Sequence, residues 1–260
     1  MVTSEDERAH RNLCDFTRFT AQLDRGGRVF DERGVVALIG VSDWPSSRTA
    51  VRSDHVLTAP EWADTVTDLF DDHGKTGCVF ARVGVDDDLV GELVARGFTE
   101  WAQTPEMVCA AGLPPREPPS GVTVRLAASA SDVSAYAEIA GRAFAHLSIP
   151  ERMTREHIDN PEVLLRSDCA IALAELDGTP VAGALVVLLG DDPAGYVGWV
   201  ACADEARGRG LGDVVTRAVT NEAFDRGARL VTLEASEFGE GTYARMGYRE
   251  IYRYRVLIRV

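Results

Sequence analysis

A proline-rich segment near the middle of the chain most constrains what this sequence can fold into. Residues 112–121 read GLPPREPPSG and hold four of the eleven prolines. Because proline fixes φ and lacks a backbone N–H, this segment can sustain neither a helix nor a paired strand. It predicts an extended, fairly stiff linker between an N-terminal domain, residues 1–111, and a C-terminal domain, residues 122–260.

Length and hydropathy agree with two water-soluble domains. The 260 residues are many for one compact domain and suit two, and the 45% of hydrophobic residues can supply their cores. The longest apolar run, residues 181–190, is half of what a membrane span needs. The first residues show no basic segment followed by an apolar one. We therefore expect a cytoplasmic protein without a membrane partner.

Charge and cysteine content exclude several classes of partner. A net charge of −14 opposes binding to the phosphate backbone of nucleic acid, so nucleic acid is not expected as a partner. The five cysteines are odd in number, widely spaced and free of any C-x-x-C pair. This pattern favours reduced thiols over a disulfide framework or a zinc site, and no metal cofactor is expected.

Hydrophobic periodicity in the C-terminal domain predicts the order β-α-β-β-β-α-β-α-β. The order implies a mixed sheet that is mostly antiparallel and contains one strand–helix–strand crossover. The predicted elements are a strand at 122–126, a helix at 131–146 capped by Ser131 or Asp132, a hairpin of 170–176 and 181–189, a strand at 196–202, a helix at 211–226, a strand at 230–235, a short helix at 242–246 and a final strand at 250–260.

The N-terminal domain resembles the last third of this pattern. Residues 72–83 are similar to 225–235, and LVARGFTE at 93–100 is similar to YARMGYRE at 243–250. Two glycines that would stop helices are 23 residues apart in the first half and 20 apart in the second. We interpret the two domains as copies of one ancestral unit.

The strongest local signal is VACADEARGRGLG at residues 200–212, a strand that leads through a glycine-rich turn into a helix. Glycines let backbone N–H groups approach a ligand closely, and the helix adds the positive end of its dipole. Arg207 and Arg209 add charged donors. The segment predicts a pyrophosphate cradle. It is not a dinucleotide fingerprint, because Asp213 stands where glycine or alanine is required. Nor is Gly74-Lys75-Thr76 a P-loop, because it follows a predicted helix instead of preceding one.

Two motifs resemble one protein family. Arg207-x-x-Gly210-x-Gly212 resembles the R/Q-x-x-G-x-G/A signature of the GNAT superfamily of acetyl-CoA-dependent N-acyltransferases, and YARMGY at 243–248 resembles its Y-x-x-x-G-F/Y segment. The resemblance covers 122–260 and implies an α/β (α+β) fold, with a mixed, mostly antiparallel sheet that is flanked by helices and splayed between two strands. With the repeat, it predicts two such domains in tandem, of which 1–111 is degenerate and 122–260 is catalytic.

The resemblance also implies acetyl-CoA as the acyl donor. Its pantetheine arm would bind backbone groups of Val200, Ala201 and Cys202. Its pyrophosphate would bind the backbone amides of six consecutive residues, Gly208, Arg209, Gly210, Leu211, Gly212 and Asp213, with Arg207 nearby. Ser236 or Glu237 stands where many relatives carry an asparagine that contacts the cofactor, although the stretch from Ala235 to Tyr243 is one residue shorter than is usual.

Catalysis needs a general acid for the leaving thiolate and a base for the amine. Tyr243 takes the position of the family's tyrosine and is the expected acid, with a plain core aromatic residue as the alternative. Glu234, near the end of its strand, is the expected base. Side chains alternate between the two faces of a sheet along a strand, so that of Glu234 lies on the same face as that of Thr232. Glu237, Asp204 and His146 are rivals for the base, and a solvated surface role for Glu234 also stays open. A backbone N–H of Val200 or Cys202 would polarise the carbonyl.

These residues predict transfer of an acetyl group to a primary amine of a small molecule or peptide by direct attack on the thioester. A non-catalytic acyl-CoA-binding regulatory module is the alternative, an oxygen acceptor stays open, and the chain could be a monomer or a homodimer. The N-terminal domain has SDHVLT at 53–58 in place of the glycines and Leu93 in place of Tyr243. We therefore expect it not to bind acetyl-CoA.

Overall fold

The computed structural model describes residues 4–42, 45–74, 76–145 and 149–260. Its contacts divide the chain into two compact units. The first comprises Met1–Glu106, Glu234–Glu237 and Glu250–Val260, and the second comprises Met107–Leu233 and Phe238–Arg249.

The first unit is a mixed sheet with three helices. Its strands follow the order β1-β2-β3-β4-β11-β5, in which β3 and β4 are parallel. The elements are α1 (Glu5–Thr20), β1 (Arg28–Glu32), β2 (Val35–Ile39), β3 (Arg48–Arg52), α2 (Ala59–Asp71), β4 (Gly77–Arg82), α3 (Asp87–Ala95), β5 (Thr99–Cys109), which belongs to this unit as far as Glu106, and β11 (Arg249–Arg259), which belongs to it from Glu250 onward.

Helix α2 shows why these residues fold as they do. Thr58 and Glu61 form a capping box, and Pro60 stands in the first turn, where its missing N–H costs nothing. Apolar residues at helical spacing, among them Trp62, Val66 and Phe70, are fully buried on one face. Trp62 also donates its indole N–H to the carbonyl of Gly34 at 3.0 Å, which fastens the helix to the turn before β2.

The C-terminal strand β11 belongs to the first unit, whereas the sequence assigned it to the C-terminal domain. It pairs antiparallel with β4 from Tyr254 opposite Arg82 to Arg259 opposite Gly77, and Leu257 is fully buried in the core of that unit. The second unit also begins at Met107, before the proline-rich segment. The compact units thus differ from the continuous ranges 1–111 and 122–260, because strand pairing links residues that are distant in sequence.

The second unit has the sheet order β10-β9-β8-β7-β6. Its elements are β6 (Val122–Leu126), α4 (Ala130–Phe144), α5 (Glu151–Ile158), α6 (Pro161–Leu164), β7 (Cys169–Leu176), β8 (Thr179–Leu189), β9 (Ala194–Cys202), α7 (Leu211–Asp225), β10 (Leu230–Glu234) and α8 (Glu240–Met246). Only β9 and β10 pair in parallel among the pairings described here, so the expected mixed, mostly antiparallel sheet flanked by helices is confirmed.

Two details of the second unit depart from expectation. Helices α5 and α6 lie between α4 and β7, where neither a helix nor a strand was predicted from the sequence. Helix α4 is capped by Ser129, whose side chain accepts from the backbone N–H of Asp132, while Asp132 bonds back to the N–H of Ser129. Asp132 is thus the third helical residue of a capping box and not the cap itself.

Helices α4 and α7 cover opposite faces of the second unit's sheet. A side chain on Gly183 of β8 would collide with the ring of Tyr136 on α4. A side chain on Gly195 of β9 would instead meet Ala223 on α7 and Val186 of β8. Positions 183 and 186 differ in parity along β8, so they point to opposite faces.

Three other expectations concern the whole chain. All five cysteines are free thiols. Residues 112–121 contain neither helix nor strand, as the prolines require. In the ranges that the structure describes, no helix combines the length and the hydrophobicity that crossing a membrane requires.

The place of β11 in the first unit can be tested by truncating one buried side chain. We expect Leu257→Ala to lower the free energy of unfolding by about 2–5 kcal/mol, because it leaves a cavity in that core. Urea unfolding followed by circular dichroism measures the change. Val260→Ala is the matched control, since Val260 is 89% exposed. Equal stability of the two variants would contradict the assignment.

Candidate functional site

The site of the second unit begins where β9 and β10 separate. Their parallel pairing covers three residue pairs, from Leu230 opposite Ala194 to Thr232 opposite Tyr196. Strand β9 then continues to Cys202, whereas β10 ends at Glu234. Residues 197–202 of β9 thus extend beyond the registered pairs and leave a strand edge that a ligand's amide groups can pair with. Val200, Ala201 and Cys202 lie on this stretch, where the resemblance implies the pantetheine arm.

A bulge at Trp199 redirects β9 at the same point. The register with β8 shifts between Gly183 and Leu185, and Trp199 has a left-handed φ of 45°. Such a conformation is unfavourable for a bulky residue and needs support from its surroundings. Tyr136 supplies that support by donating its hydroxyl to the Trp199 carbonyl at 2.7 Å. The ring of His157 packs edge-on against Trp199 with 5.5 Å between ring centroids.

After β9 the chain makes a glycine turn into α7, at the place where the sequence predicts the cradle. Gly208 and Gly210 have φ values of 76° and 77°, which L-residues with side chains rarely adopt. Gly210 is the N-cap of α7. As a glycine it has no side chain that could accept a hydrogen bond from the first amides of the helix. The N–H groups of Leu211, Gly212 and Asp213 belong to this first turn, where helix geometry provides no acceptor. A Cβ on Gly208 would meet nothing within 4 Å, so the turn is open to a ligand.

The two predicted arginines differ in their surroundings. Arg207 pairs with Asp204 at 2.9 Å and donates to the carbonyl of Ala143, near the end of α4, at 3.3 Å. It therefore also holds the turn in place. Arg209 is exposed, and its guanidinium has no hydrogen bond or ion pair within the part of the chain that the structure describes. Its guanidinium is the freer of the two to meet an anion.

The carboxylate of Asp213 is already committed. It pairs with Arg217 at 2.6 Å and with Arg116 at 3.0 Å, and it is almost fully buried. Only its backbone N–H can therefore serve the predicted cradle. Arg116 comes from the proline-rich segment, and no sequence motif indicated that this segment reaches the start of α7.

Tyr243 stands on α8 beside two other tyrosines. Its ring contacts Tyr248 in a T-shaped arrangement with 6.0 Å between centroids. Burial raises the pKa of Tyr136, and the charge of an ionised Tyr243 adds to that effect. Burial raises the pKa of Tyr243 to about 12. The phenol therefore keeps its proton throughout the neutral range, as a general acid must.

Glu234 and Ser236 belong to the segment Glu234–Glu237 of the first unit. Glu234 is half-buried and ends β10, whereas Ser236 is exposed. Burial is the main cause that raises the pKa of Tyr254, and the negative charges of Glu106 and Glu234 add to it. The charge of Glu234 thus acts on the buried phenol of Tyr254, and the role of Glu234 as the base stays a prediction. Of the rivals, Asp204 is paired with Arg207, and His146 lies outside the described residues.

Nothing in the described part of the chain groups three or more histidine, cysteine or acidic side chains closely enough to hold a metal ion. Half-buried Cys202 has a raised pKa, again mainly from burial, so its thiol is protonated at neutral pH.

Comparison with known proteins agrees with this geometry. Residues 135–248 match the model of the acetyltransferase (GNAT) family. The chain therefore carries a GNAT acetyltransferase domain. This confirms the predicted class of enzyme, an acyltransferase, and acetyl-CoA is the acyl donor that the GNAT family implies. No curated protein sequence matches the chain.

Solved structures extend the likeness of fold beyond the GNAT domain. A GCN5-related N-acetyltransferase from Kribbella flavida is 24% identical, with a TM-score of 0.73 over 96% of this chain and 95% of the other. One from Sphaerobacter thermophilus is 18% identical, with a TM-score of 0.63 over 86% and 75%. A tandem GNAT protein from the clavulanic acid biosynthesis pathway is 13% identical, with a TM-score of 0.61 over 99% and 96%. The last of these supports a tandem arrangement.

Sequence reasoning missed the part that Tyr136 plays in the GNAT domain. The only signal was helical spacing, which identified it as a core residue of the helix. Its function depends on Gly183, which makes room for its ring, and on the Trp199 carbonyl, which accepts its hydroxyl. Both partners are distant in sequence, so no local motif reveals the contact.

The hydrogen bond from Tyr136 to the Trp199 carbonyl can be tested by removing the hydroxyl oxygen. We expect Tyr136→Phe to lower the free energy of unfolding by about 1 kcal/mol and to weaken acetyl-CoA binding about fivefold, because the bulge loses its support. Isothermal titration and chemical unfolding measure the two effects. Ser134→Ala on the same helix is the control, because it removes a bond to Asp159 that lies outside the bulge. Unchanged binding in Tyr136→Phe would refute this role.

Proposed function

We propose that this chain transfers the acetyl group of acetyl-CoA to a primary amine of a small molecule or peptide, by direct attack of the amine on the thioester. The observation that carries the proposal is the continuous path from the splayed strand β9 into the cradle of Gly208 and Gly210 at the start of α7. A strand edge suits the amides of the pantetheine arm, and a helix N-terminus suits a diphosphate.

Several groups of the chain fit the donor. Backbone groups of Val200, Ala201 and Cys202 would pair with pantetheine. The amides from Gly208 to Asp213 would bind the diphosphate, and Arg209 would add a charged donor. Ser236 remains proposed as a further contact, on the family resemblance alone.

The proposed chemistry forms a C–N bond and breaks a C–S bond. A backbone N–H of Val200 or Cys202 would polarise the thioester carbonyl, and Glu234 would take the proton that the attacking amine loses. Tyr243 would give its proton to the sulfur as the thiolate leaves.

The raised pKa of Tyr243 is compatible with this last step. Burial that raises a phenol's pKa also raises that of a thiol, and Cys169 in the same unit has its pKa raised to about 12, mainly by burial. A thiolate that leaves in similarly dry surroundings is therefore more basic than in water, which favours proton transfer from Tyr243.

The first unit is proposed to be a degenerate copy without the donor site. It repeats the parallel crossover, with β3, α2 and β4 in the places of β9, α7 and β10. Its segment before α2 has no glycine, and Arg52 donates to the carbonyl of Leu57 there at 3.0 Å. A buried guanidinium thus occupies the turn that would have to receive a phosphate.

The acceptor is proposed to be cationic before it reacts. A net charge of −14 raises the local concentration of cations and accelerates their encounter with the protein. Before attack the amine must become neutral, which is the reason for including a base.

The cradle is tested by Gly210→Val. We expect this variant to abolish stabilisation by acetyl-CoA in a thermal shift assay, because the side chain strains a left-handed residue and crowds the first turn of α7. Gly178→Val is the matched control. Gly178 has nearly the same φ, 78°, but lies in the turn between β7 and β8 with open space around it. If both variants keep the stabilisation, the cradle is misassigned.

The acid is tested by Tyr243→Phe. We expect kcat to fall about 100-fold or more while the Kd for acetyl-CoA stays within about twofold, because only the proton is lost. Since the pKa of Tyr243 is raised to about 12, its ionisation should not lower the native rate below about pH 11. Transfer to a panel of primary amines, followed through the released thiol, measures the rate. Binding without turnover in the native protein would favour the regulatory module instead.

A further inference from the structure

The proline-rich segment lies along helix α7. Leu113 and Asn221 exchange two hydrogen bonds: the N–H of Leu113 donates to Oδ1 at 2.7 Å, and the amide of Asn221 donates to the Leu113 carbonyl at 3.1 Å. One turn nearer the start of the helix, Arg217 donates to the carbonyl of Pro114 at 2.9 Å. One turn further, Asp213 pairs with Arg116 at 3.0 Å.

Spacing along α7 makes this contact continuous. Asp213, Arg217 and Asn221 are each four residues apart, so they lie on one face of the helix. The segment therefore runs antiparallel to α7, from its middle toward its N-terminus. Its prolines favour an extended backbone, which lets four residues follow two turns of helix. We call residues 113–116 the strap.

The strap delivers Arg116 to the cradle. One Nη atom of Arg116 lies 3.1 Å from the position that a Cβ on Gly210 would take. Gly210 is the N-cap of α7, so the guanidinium stands beside the amides of the first turn. The side chain of Arg116 is 50% exposed, so some of the N–H groups of its guanidinium face solvent.

The charges around Asp213 leave a positive excess at this point. The single carboxylate pairs with two guanidinium groups, those of Arg116 and Arg217. One positive charge therefore remains within the trio. Arg217 also donates to the carbonyl of Pro114, so Arg116 is the member with donors to spare.

We propose that Arg116 is a phosphate-binding residue of the cradle, which donates to a phosphoryl oxygen of acetyl-CoA. The proposal rests on the proposed function, because it needs acetyl-CoA on α7. The diphosphate and the 3′-phosphate of the ribose offer the same chemistry to a guanidinium. Asp213 fixes the direction of the guanidinium, and the strap brings it to the helix terminus.

A purely structural role makes different predictions. If Arg116 only ties the strap to α7, its loss should lower stability and weaken every form of the donor equally. If Arg116 binds phosphate, its loss should weaken only the donors that carry the phosphate in question. Its contribution should also diminish with added salt, which screens an exposed charge.

The experiment titrates the full-length protein with three donors: acetyl-CoA, acetyl-dephospho-CoA and S-acetylpantetheine. We expect Arg116→Ala to raise the Kd for acetyl-CoA about tenfold and to leave that for S-acetylpantetheine within about twofold. Loss of the effect with acetyl-dephospho-CoA would assign the 3′-phosphate, and its persistence would assign the diphosphate. Arg116→Lys keeps the positive charge but lacks the planar set of guanidinium donors. Its Kd for acetyl-CoA should therefore fall between those of the native protein and Arg116→Ala.

Arg229→Ala is the matched control, because Arg229 is a more exposed arginine of the same unit whose partner is Asp192. It should bind all three donors like the native protein. The proposal is overturned if Arg116→Ala binds acetyl-CoA like the native protein while Gly210→Val does not, or if it weakens S-acetylpantetheine as much as acetyl-CoA. Failure of the native protein to bind acetyl-CoA would overturn the proposed function as well.

Discussion

The site depends on the early end of the pairing between β9 and β10. A parallel pair that stayed in register to the end of β9 would satisfy the strand edge with backbone and leave no place for a ligand. The pairing stops after Thr232, and the bulge at Trp199 then turns the strand while Tyr136 holds its carbonyl. This small defect in the sheet leaves the edge of β9 without β10 as a partner just before the glycine turn.

The glycine turn is a place where local charges favour an anion in an otherwise acidic protein. A diphosphate would be repelled by a net charge of −14. Left-handed glycines at 208 and 210 let α7 begin without a side-chain cap, so its first amides and its dipole remain available. Arg209 and Arg116 then add positive charge where the backbone already favours an anion. At the start of α7, the backbone amides and the arginine side chains thus both favour a negatively charged group.

The sequence predicted those parts of the structure that are encoded in contiguous residues. The glycine turn from Arg207 to Gly212 is one such part, since the strand before it and the helix after it are close neighbours in sequence. The sequence alone could not predict the place of β11 or the contact of Arg116 with Asp213, because pairing between distant residues depends on the whole fold. The proline-rich segment was correctly expected to lack helix and strand, but its contact with α7 required the structure.

Comparing the two parallel crossovers separates what folding requires from what binding requires. In both units the parallel pair covers three residue pairs, so a short pairing suffices for the fold. Strand β3, however, ends at Arg52, one residue after its last pair, whereas β9 continues through residues 197–202. The first unit therefore lacks the extended strand edge as well as the glycines. Restoring glycines at 53–58 alone should not create a donor site, because a pantetheine arm would still have no strand to pair with.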